Sequence, residues 1–376
     1  MPHDPTQPPR PTTTRPSRAG GVIIAITTLV GTVWGTATPD PVLKPGGDPA
    51  ANTRALQRLI DQPGRTLVRF EAGQYEFADA VRVPADKVLT LDGQGVAQLY
   101  RTGYGPVVTL TPGGRDWTAG RFTLRNFWAV SGQVTTDGPV QANFLRIERC
   151  EFYSPAGYGI DLATGYCAQP VIRDCRFFGG GLRWRYSRQS AEPHATSGGV
   201  FERLYVNTSA ERRFGPDVWL EGHHQLTARN LICEGLTAGW SAGVDPAPFR
   251  RTIGVFVDAP GPRGGSLGPV WCEYWNYTPA GGKPGDIYGG SCDVRVHNPY
   301  TGSAGPYQSG PFALTDVSCS GPVVVSAVPE ALDVPVVAVR GGSEVTAEGP
   351  VVVRRWLAGD LTDRARRTRG PVFDWR

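Results

Sequence analysis

Side chains that could exchange protons concentrate in the middle of the chain. Asp161 lies in the segment Tyr-Gly-Ile-Asp, and residues 217–224 read Asp-Val-Trp-Leu-Glu-Gly-His-His. Carboxylates act as general acids or bases when their surroundings shift their pKa, and histidine titrates near neutral pH. We therefore predict a catalytic set of Asp161, Asp217, Glu221 and His223, with His224 as an alternative proton carrier. The other interpretation is that these are ordinary solvated residues of a polar surface.

Aromatic and cationic side chains alternate shortly before that cluster. Residues 181–188 read Gly-Leu-Arg-Trp-Arg-Tyr-Ser-Arg. In a strand, Arg183 and Arg185 would lie on one face and Trp184 and Tyr186 on the other, because side chains alternate along a strand. Arginine forks bind carboxylates, and flat aromatic rings suit the apolar faces of rings in a ligand. Alternatively, the aromatic residues pack beneath a loop and the arginines are solvated.

The same alternation places Trp219 on one strand face with Asp217 and Glu221. We therefore predict five ligand-binding residues, namely Arg183, Trp184, Arg185, Tyr186 and Trp219. The longest loops of the chain join strands in this part of the sequence, and loops on a rigid scaffold often carry binding residues.

A repeated motif predicts the strands that must position these residues. Each copy has an apolar residue, a polar residue, a turn-forming residue, an apolar residue, any residue and a further apolar residue. The copies begin at Leu124, Ile147, Ile172, Phe201 and Ala228, and a sixth copy begins at Leu314. Asn126, Arg149, Asp174, Arg203 and Asn230 occupy the turn position of the first five copies. A period in this range is typical of solenoids, whose units bury their apolar faces by stacking.

The phase within each copy indicates the type of solenoid. Apolar residues alternate at strand period on both sides of the turn position, and a single residue there can adopt the left-handed conformation that bends one strand into the next. The chain of 376 residues contains 49 Gly and 34 Pro, which is a composition rich in turns. We predict an all-β, right-handed, single-stranded parallel β-helix with a short N-terminal capping helix.

The capping helix is predicted to start at Asp48-Pro49. Asp is a favoured N-cap, Pro is favoured at the first helical position, and an apolar stripe follows before Gly64. Strands are expected at 66–70, 75–77, 80–83 and 88–91. A helix laid over the first coil would protect its exposed edge.

Three segments of this region together resemble the pectate-lyase-like superfamily of right-handed parallel β-helix proteins. They are residues 47–61, the turn Phe70-Glu71-Ala72-Gly73-Gln74-Tyr75, and the segment Leu89 to Gly95. That superfamily includes polysaccharide lyases, polygalacturonase-like hydrolases, uronan epimerases and phage tailspikes. The resemblance covers residues 45–350 and implies the fold more strongly than the activity. Of the polygalacturonase motifs, only Gly222-His223-His224 has a counterpart here.

The two ends of the chain are interpreted separately. Residues 1–37 combine a Pro-, Thr- and Arg-rich stretch with an apolar run, which predicts a disordered leader with a signal peptide and thus secretion. The apolar run suits a first capping strand equally well, and it is too short and Thr-rich for a stable membrane span. Residues 38–350 form the β-helix domain in this interpretation, and residues 351–376 form an Arg-rich cap or tail.

Cysteine and acidic residues do not follow metal-binding patterns. Cys150 and Cys175 occupy equivalent motif positions and should point into the core, either as small buried hydrophobes or as a disulfide. No two cysteines have CxxC spacing, and the acidic residues lack the spacing of a calcium loop. We therefore predict neither a metal site nor a cofactor.

Together, the residues and the resemblance imply an exported protein that binds and cleaves a polysaccharide in a groove on the side of the solenoid. Cleavage by a lyase and by a glycoside hydrolase both stay open. The alternatives are a non-catalytic carbohydrate-binding or surface protein, and a tailspike-type depolymerase on a virion tail. A formal net charge of +4 gives no basis for nucleic-acid binding. A monomer and a homotrimer both suit the fold.

Overall fold

The computed structural model describes the chain from Val42 to Trp375 with gaps. The described ranges are 42–113, 120–187, 196–208, 215–237, 251–258, 265–277, 287–298, 312–319, 323–327, 332–334, 337–340, 345–348, 351–353 and 373–375. The predicted leader at 1–37, Arg188 and the arginines between 354 and 372 lie outside these ranges. Among the described residues, no helix is both long and apolar enough to cross a membrane.

The described part of the chain is mostly strand, in two parallel sheets with one α-helix, so the all-β prediction is confirmed. The strands are β1 Val42–Leu43, β2 Leu67–Phe70, β3 Gly73–Phe77, β4 Val81–Pro84, β5 Val88–Asp92, β6 Ala97–Arg101, β7 Pro106–Thr111, β8 Arg121–Arg125, β9 Ala129–Ser131, β10 Gln133–Thr136, β11 Val140–Gln141, β12 Arg146–Glu148, β13 Glu151–Tyr153, β14 Ile160–Ala168, β15 Val171–Phe178, β16 Leu182–Tyr186, β17 Thr196–Ser197, β18 Val200–Asn207, β19 Val218–Glu221, β20 His223–His224, β21 Leu226–Thr237, β22 Arg251–Asp258, β23 Gly265–Leu267, β24 Val270–Tyr277, β25 Ile287–Asn298, β26 Phe312–Cys319, β27 Val323–Ala327, β28 Leu332–Val334, β29 Val337–Arg340, β30 Val345–Glu348, β31 Val351–Val353 and β32 Phe373–Trp375.

Helix α1, Pro49–Asp61, begins where the sequence predicts it. The Asp48 carboxylate accepts hydrogen bonds from the backbone amides of Ala50 and Ala51, at 3.0 and 3.1 Å. Leu56 and Ile60 are fully buried against the adjacent sheet core. The helix therefore buries one apolar stripe beside the first strands, as its spacing requires.

Parallel pairing joins residues that lie about one motif period apart. Strands β5, β8, β12, β15, β18 and β21 pair in that order and are here called the first sheet. In it, the motif-initial residues of four successive copies are register partners: Ile147 pairs with Ile172, Ile172 with Phe201, and Phe201 with Ala228. These side chains are buried in one continuous apolar core. The repeat therefore stacks copy on copy, and each copy buries its apolar residues against the next.

All five predicted turn positions adopt the left-handed backbone conformation. Their φ angles lie between 52° and 58°, at Asn126, Arg149, Asp174, Arg203 and Asn230. Cys150 and Cys175, one position later, are buried in the core, and both thiols are free. A single left-handed residue thus lies at the turn position of each of these five copies, as the motif predicts.

Oppositely charged residues alternate along one outward row of the first sheet. Register partners in order are Asp92, Arg125, Glu148, Arg173, Glu202 and Arg229. Ion pairs link Arg125 to Asp92 at 2.9 Å, Arg173 to Glu148 at 3.1 Å, and Arg229 to Glu202 at 2.5 Å. Opposite charges on neighbouring strands favour this register, because a shifted alignment would leave them without their partners.

Candidate functional site

Strands β14, β16, β19 and β22 are successive parallel neighbours, here called the second sheet, and the candidate site lies on their outer face. One outward row contains Asp161, Arg183, Trp219 and Phe256, which are register partners. The adjacent inward row, which contains Leu162, Trp184, Leu220 and Val257, is fully buried in the core. Strand alternation therefore gives this face its polar and aromatic side chains.

Arg183 and Asp161 form a two-point ion pair within that row. Arg183 Nε lies 2.7 Å from Asp161 Oδ1, and Arg183 Nη2 lies 2.5 Å from Oδ2. Hydrogen bonding to the Asp161 carboxylate raises the pKa of Arg183. Arg185 Nη2 approaches the same carboxylate at 4.0 Å. Asp161 is therefore engaged by two arginines, which suits a role in positioning better than one in proton transfer.

Aromatic rings enclose these two guanidinium groups. The central carbon of Arg183 lies 4.7 Å from the Tyr158 ring centre and 5.9 Å from that of Trp219. Arg185 approaches the Trp219 ring at 5.8 Å. Gly215 makes room for this packing, because a Cβ there would lie only 2.7 Å from the Tyr158 hydroxyl. The indole is consequently held by two cation–π contacts.

A pocket of about 480 Å³ opens beside the Trp219 ring. It is lined by Thr136, Gly138, Ala163, Arg185, Tyr186, Ser187, Trp219 and Glu221. Four predicted site residues thus meet at one concave surface, namely Arg185, Tyr186, Trp219 and Glu221. Two aromatic rings, one cation and one carboxylate can bind a polar ring from several sides.

Asp258 is a second carboxylic acid next to Glu221. The two residues are register partners on β19 and β22, and Asp258 is 8% exposed. Burial, and secondarily the negative charge of Glu221, raise the pKa of Asp258 to about 8. An acid that keeps its proton at neutral pH therefore lies beside the pocket carboxylate.

His223 does not fit its predicted catalytic role. Its side chain is fully buried, and its ring packs edge-on against Phe201 and Trp184. Nε2 lies 3.1 Å from the Trp184 carbonyl oxygen and therefore donates, while Nδ1 lies 2.8 Å from the Thr196 hydroxyl. Burial lowers the pKa of His223 to about 4. The side chain is a neutral core histidine that cannot reach a substrate.

Trp184 and Asp217 are likewise interior residues. Trp184 is fully buried, and its Nε1 donates to Thr164 Oγ1 at 2.8 Å. Asp217 is 2% exposed and accepts a hydrogen bond of 2.8 Å from Thr208 Oγ1. It precedes β19, so the alternation that places Trp219 and Glu221 outward does not extend to it. The predicted substrate contact of Trp184 and the predicted catalytic role of Asp217 therefore do not fit these positions.

Two residues of this region escaped the sequence analysis. Asp258 lies 37 positions after Glu221, and only the strand register brings them together. Tyr158 belongs to the Tyr-Gly-Ile-Asp segment but was not predicted as a site residue. Its ring lies against the Arg183 guanidinium group. Among the described residues, no group of three or more His, Cys, Asp or Glu side chains could hold a metal ion.

The chain was compared with protein-family models, with curated proteins and with solved structures. No protein-family model, no curated protein and no solved structure matches it.

Proposed function

We propose that the chain is a right-handed parallel β-helix protein of the pectate-lyase-like type. Parallel ladders that join successive motif copies support this, as do the five left-handed corners. A right-handed connection between parallel strands is also the general rule, because right-twisted strands pack that way. The helix beside the first strands takes the role of an N-terminal cap.

On this fold, we propose that the pocket binds and cleaves a polysaccharide. The observation that carries the proposal is the convergence of Trp219, Tyr186, Arg185 and Glu221 on one concave surface. The indole and phenol rings offer flat faces for a sugar ring, and the guanidinium donates to hydroxyl or carboxylate oxygens. The face continues over neighbouring strands, which gives an extended chain room to lie along it.

Glu221 is the residue proposed to carry the chemistry. Hydrolysis requires a carboxylate that activates water or attacks the sugar, and elimination requires a base that removes a ring proton. Glu221 lines the pocket, whereas Asp161 is bound by Arg183 and His223 is interior. The same residue would therefore serve as the base in either reaction.

The test is incubation of the protein with pectic, alginate-type, glycosaminoglycan and neutral glycans. New reducing ends report hydrolysis, and ultraviolet absorbance of unsaturated products reports elimination. We expect one of these signals from the wild type and none from Glu221→Gln. Products from both proteins in equal amount would contradict the assignment of Glu221.

A non-catalytic carbohydrate-binding protein is the second candidate. The observation that favours it is the burial of His223. Gly222-His223-His224 is the one segment with a counterpart among the polygalacturonase motifs, and its first histidine is out of reach of a substrate. In that case the glycan panel would give binding, measured by calorimetry, without products of either kind. A tailspike-type depolymerase would instead retain residues 1–37 and sediment as a stable homotrimer.

We also propose that the protein acts outside the cell, with residues 1–37 as its export signal. The proposal rests on the apolar run and on the arginines before it. N-terminal sequencing of protein recovered from the culture medium of its source tests it. An intact N-terminus on protein retained inside the cell would contradict export.

A further inference from the structure

Glu221 and Asp258 face outward as neighbours on adjacent strands. Neighbouring strands lie about 4.8 Å apart, so register partners on one face have adjacent side chains. Glu221 lines the pocket, and Asp258 on the next strand is largely closed off from solvent. The core positions Leu220 and Val257 confirm the facing, because they point the opposite way.

Burial, and secondarily the charge of Glu221, raise the pKa of Asp258. Glu221 is the carboxylate that faces it from β19, and Arg185 lines the pocket with Glu221 from the strand beyond. On the other side, the backbone of β25 pairs Arg295 with Phe256 and His297 with Asp258. Burial disfavours the charged form of Asp258 and the adjacent charge of Glu221 disfavours it further, so Asp258 keeps its proton at neutral pH.

We propose that Asp258 is a positioning residue for Glu221. Its protonated carboxyl group donates a hydrogen bond to the Glu221 carboxylate and so fixes the orientation of that carboxylate. The inference rests on the proposed function and adds how the pocket base is controlled. A neutral carboxylic acid can donate a hydrogen bond to a neighbouring carboxylate, which fixes the orientation of that carboxylate. Asp258 itself does not contact substrate.

The proposed pair predicts that activity declines at alkaline pH. Burial and Glu221 place the pKa of Asp258 at about 8. Above that pH Asp258 loses its proton, the donor disappears, and two like charges repel across adjacent strands. Glu221 then leaves its oriented position, so kcat/KM should decline as the pH rises through the pKa of Asp258.

Two substitutions separate positioning from simple packing. We expect Asp258→Ala to lower kcat about 10- to 100-fold with little change in KM, since the base loses its support but the binding surface stays. Asp258→Asn should recover most of that loss, because its amide still donates a hydrogen bond. Its profile should also lack the alkaline decline of the wild type. A decline that persists unchanged in Asp258→Asn would overturn the proposal.

A measurement without substrate tests the pair independently of any activity. A group whose pKa is higher in the folded state than in the unfolded chain makes stability fall as pH rises between the two values. The wild type should therefore lose stability between about pH 4 and pH 8 relative to Asp258→Asn. Urea unfolding across that range measures it, and His297→Gln run in parallel separates any contribution of that imidazole.

Glu221→Gln provides the second variant. Without the charge of Glu221, the pKa of Asp258 should be lower, and the pH-dependent loss of stability should end at lower pH. An unchanged stability profile in Glu221→Gln would overturn the coupling even if the protein cleaves glycans. Conversely, coupled profiles without any glycan activity would support the carboxyl pair and reject the proposed function.

Discussion

Arg183 and Asp161 are register partners on neighbouring strands, and their side chains meet in a two-point ion pair of 2.7 and 2.5 Å. The pair lies beneath the Trp219 ring and is about three-quarters buried. It fixes the guanidinium against the indole, so the position of the pocket-lining Trp219 depends in part on a pair that does not itself line the pocket. Arg185, Tyr186, Trp219 and Glu221 do line the pocket.

Removal of the Arg183 side chain should be more costly than removal of an exposed arginine on the same sheet. Arg183→Ala leaves Asp161 with a distant partner, and we expect a loss of about 1–3 kcal/mol of unfolding free energy. Arg82 pairs with Asp137 where both side chains are 59% exposed, so Arg82→Ala should cost below about 1 kcal/mol. Urea denaturation of both variants checks this, and equal losses would refute the buried role of Arg183.

Trp219 should account for a large part of glycan affinity. Trp219→Ala removes a pocket wall that stacks on two guanidinium groups, and we expect binding to weaken about 10- to 100-fold. Trp128, which is 50% exposed in the bend between β8 and β9, supplies the matched control. Calorimetric titration with the glycan that binds the wild type should give unchanged affinity for Trp128→Ala. Weaker binding in both variants would place the ligand elsewhere.

His223 should make the protein sensitive to acid. Its folded pKa of about 4 is below the ordinary value of 6.5, so the unfolded chain takes up a proton that the folded chain refuses. Stability is therefore complete above about pH 6.5 and falls as the pH drops towards 4, by about 3 kcal/mol at about 1.4 kcal/mol per unit. Unfolding of His223→Gln at the same pH values should lack this component. Identical profiles would mean that the imidazole is protonated in the fold.

At the turn positions of the motif, substitution by glycine should leave stability nearly unchanged, whereas substitution by alanine should lower it. Asn230 is exposed and has a φ of 55°, where a side chain with Cβ is strained. We expect Asn230→Ala to cost about 1 kcal/mol and Asn230→Gly to change stability little, because glycine adopts this conformation freely. Thermal unfolding of the two variants decides the point, and a less stable glycine variant would be the contrary result.

The sequence predicted the elements well because their signals are local. The N-cap at Asp48, the turn positions of the motif and the burial of Cys150 and Cys175 each depend on residues a few positions apart. Alternation also placed Arg183 and Arg185 together on one face, which the structure shows to be the outward one. It could not tell which face is the core, so Trp184 was assigned to the ligand although it is fully buried.

The site itself was only partly predictable because it depends on corners and register. Gly222, with a φ of 78°, turns the chain after Glu221 and sends His223 inward. No local pattern reveals that reversal, and the same holds for Asp217, which lies just before β19 begins. Asp258 meets Glu221 through strand pairing across 37 positions that include strands β20 and β21, so no local pattern reveals it.

Product analysis with Glu221→Gln tests the central claim most directly. The account predicts that wild-type protein releases products from at least one glycan of the panel, and that Glu221→Gln binds the same glycan in calorimetry but releases none. Binding would persist because Trp219, Tyr186 and Arg185 are unchanged. A wild type that neither binds nor cleaves any glycan would contradict the account, as would a Glu221→Gln variant with full activity.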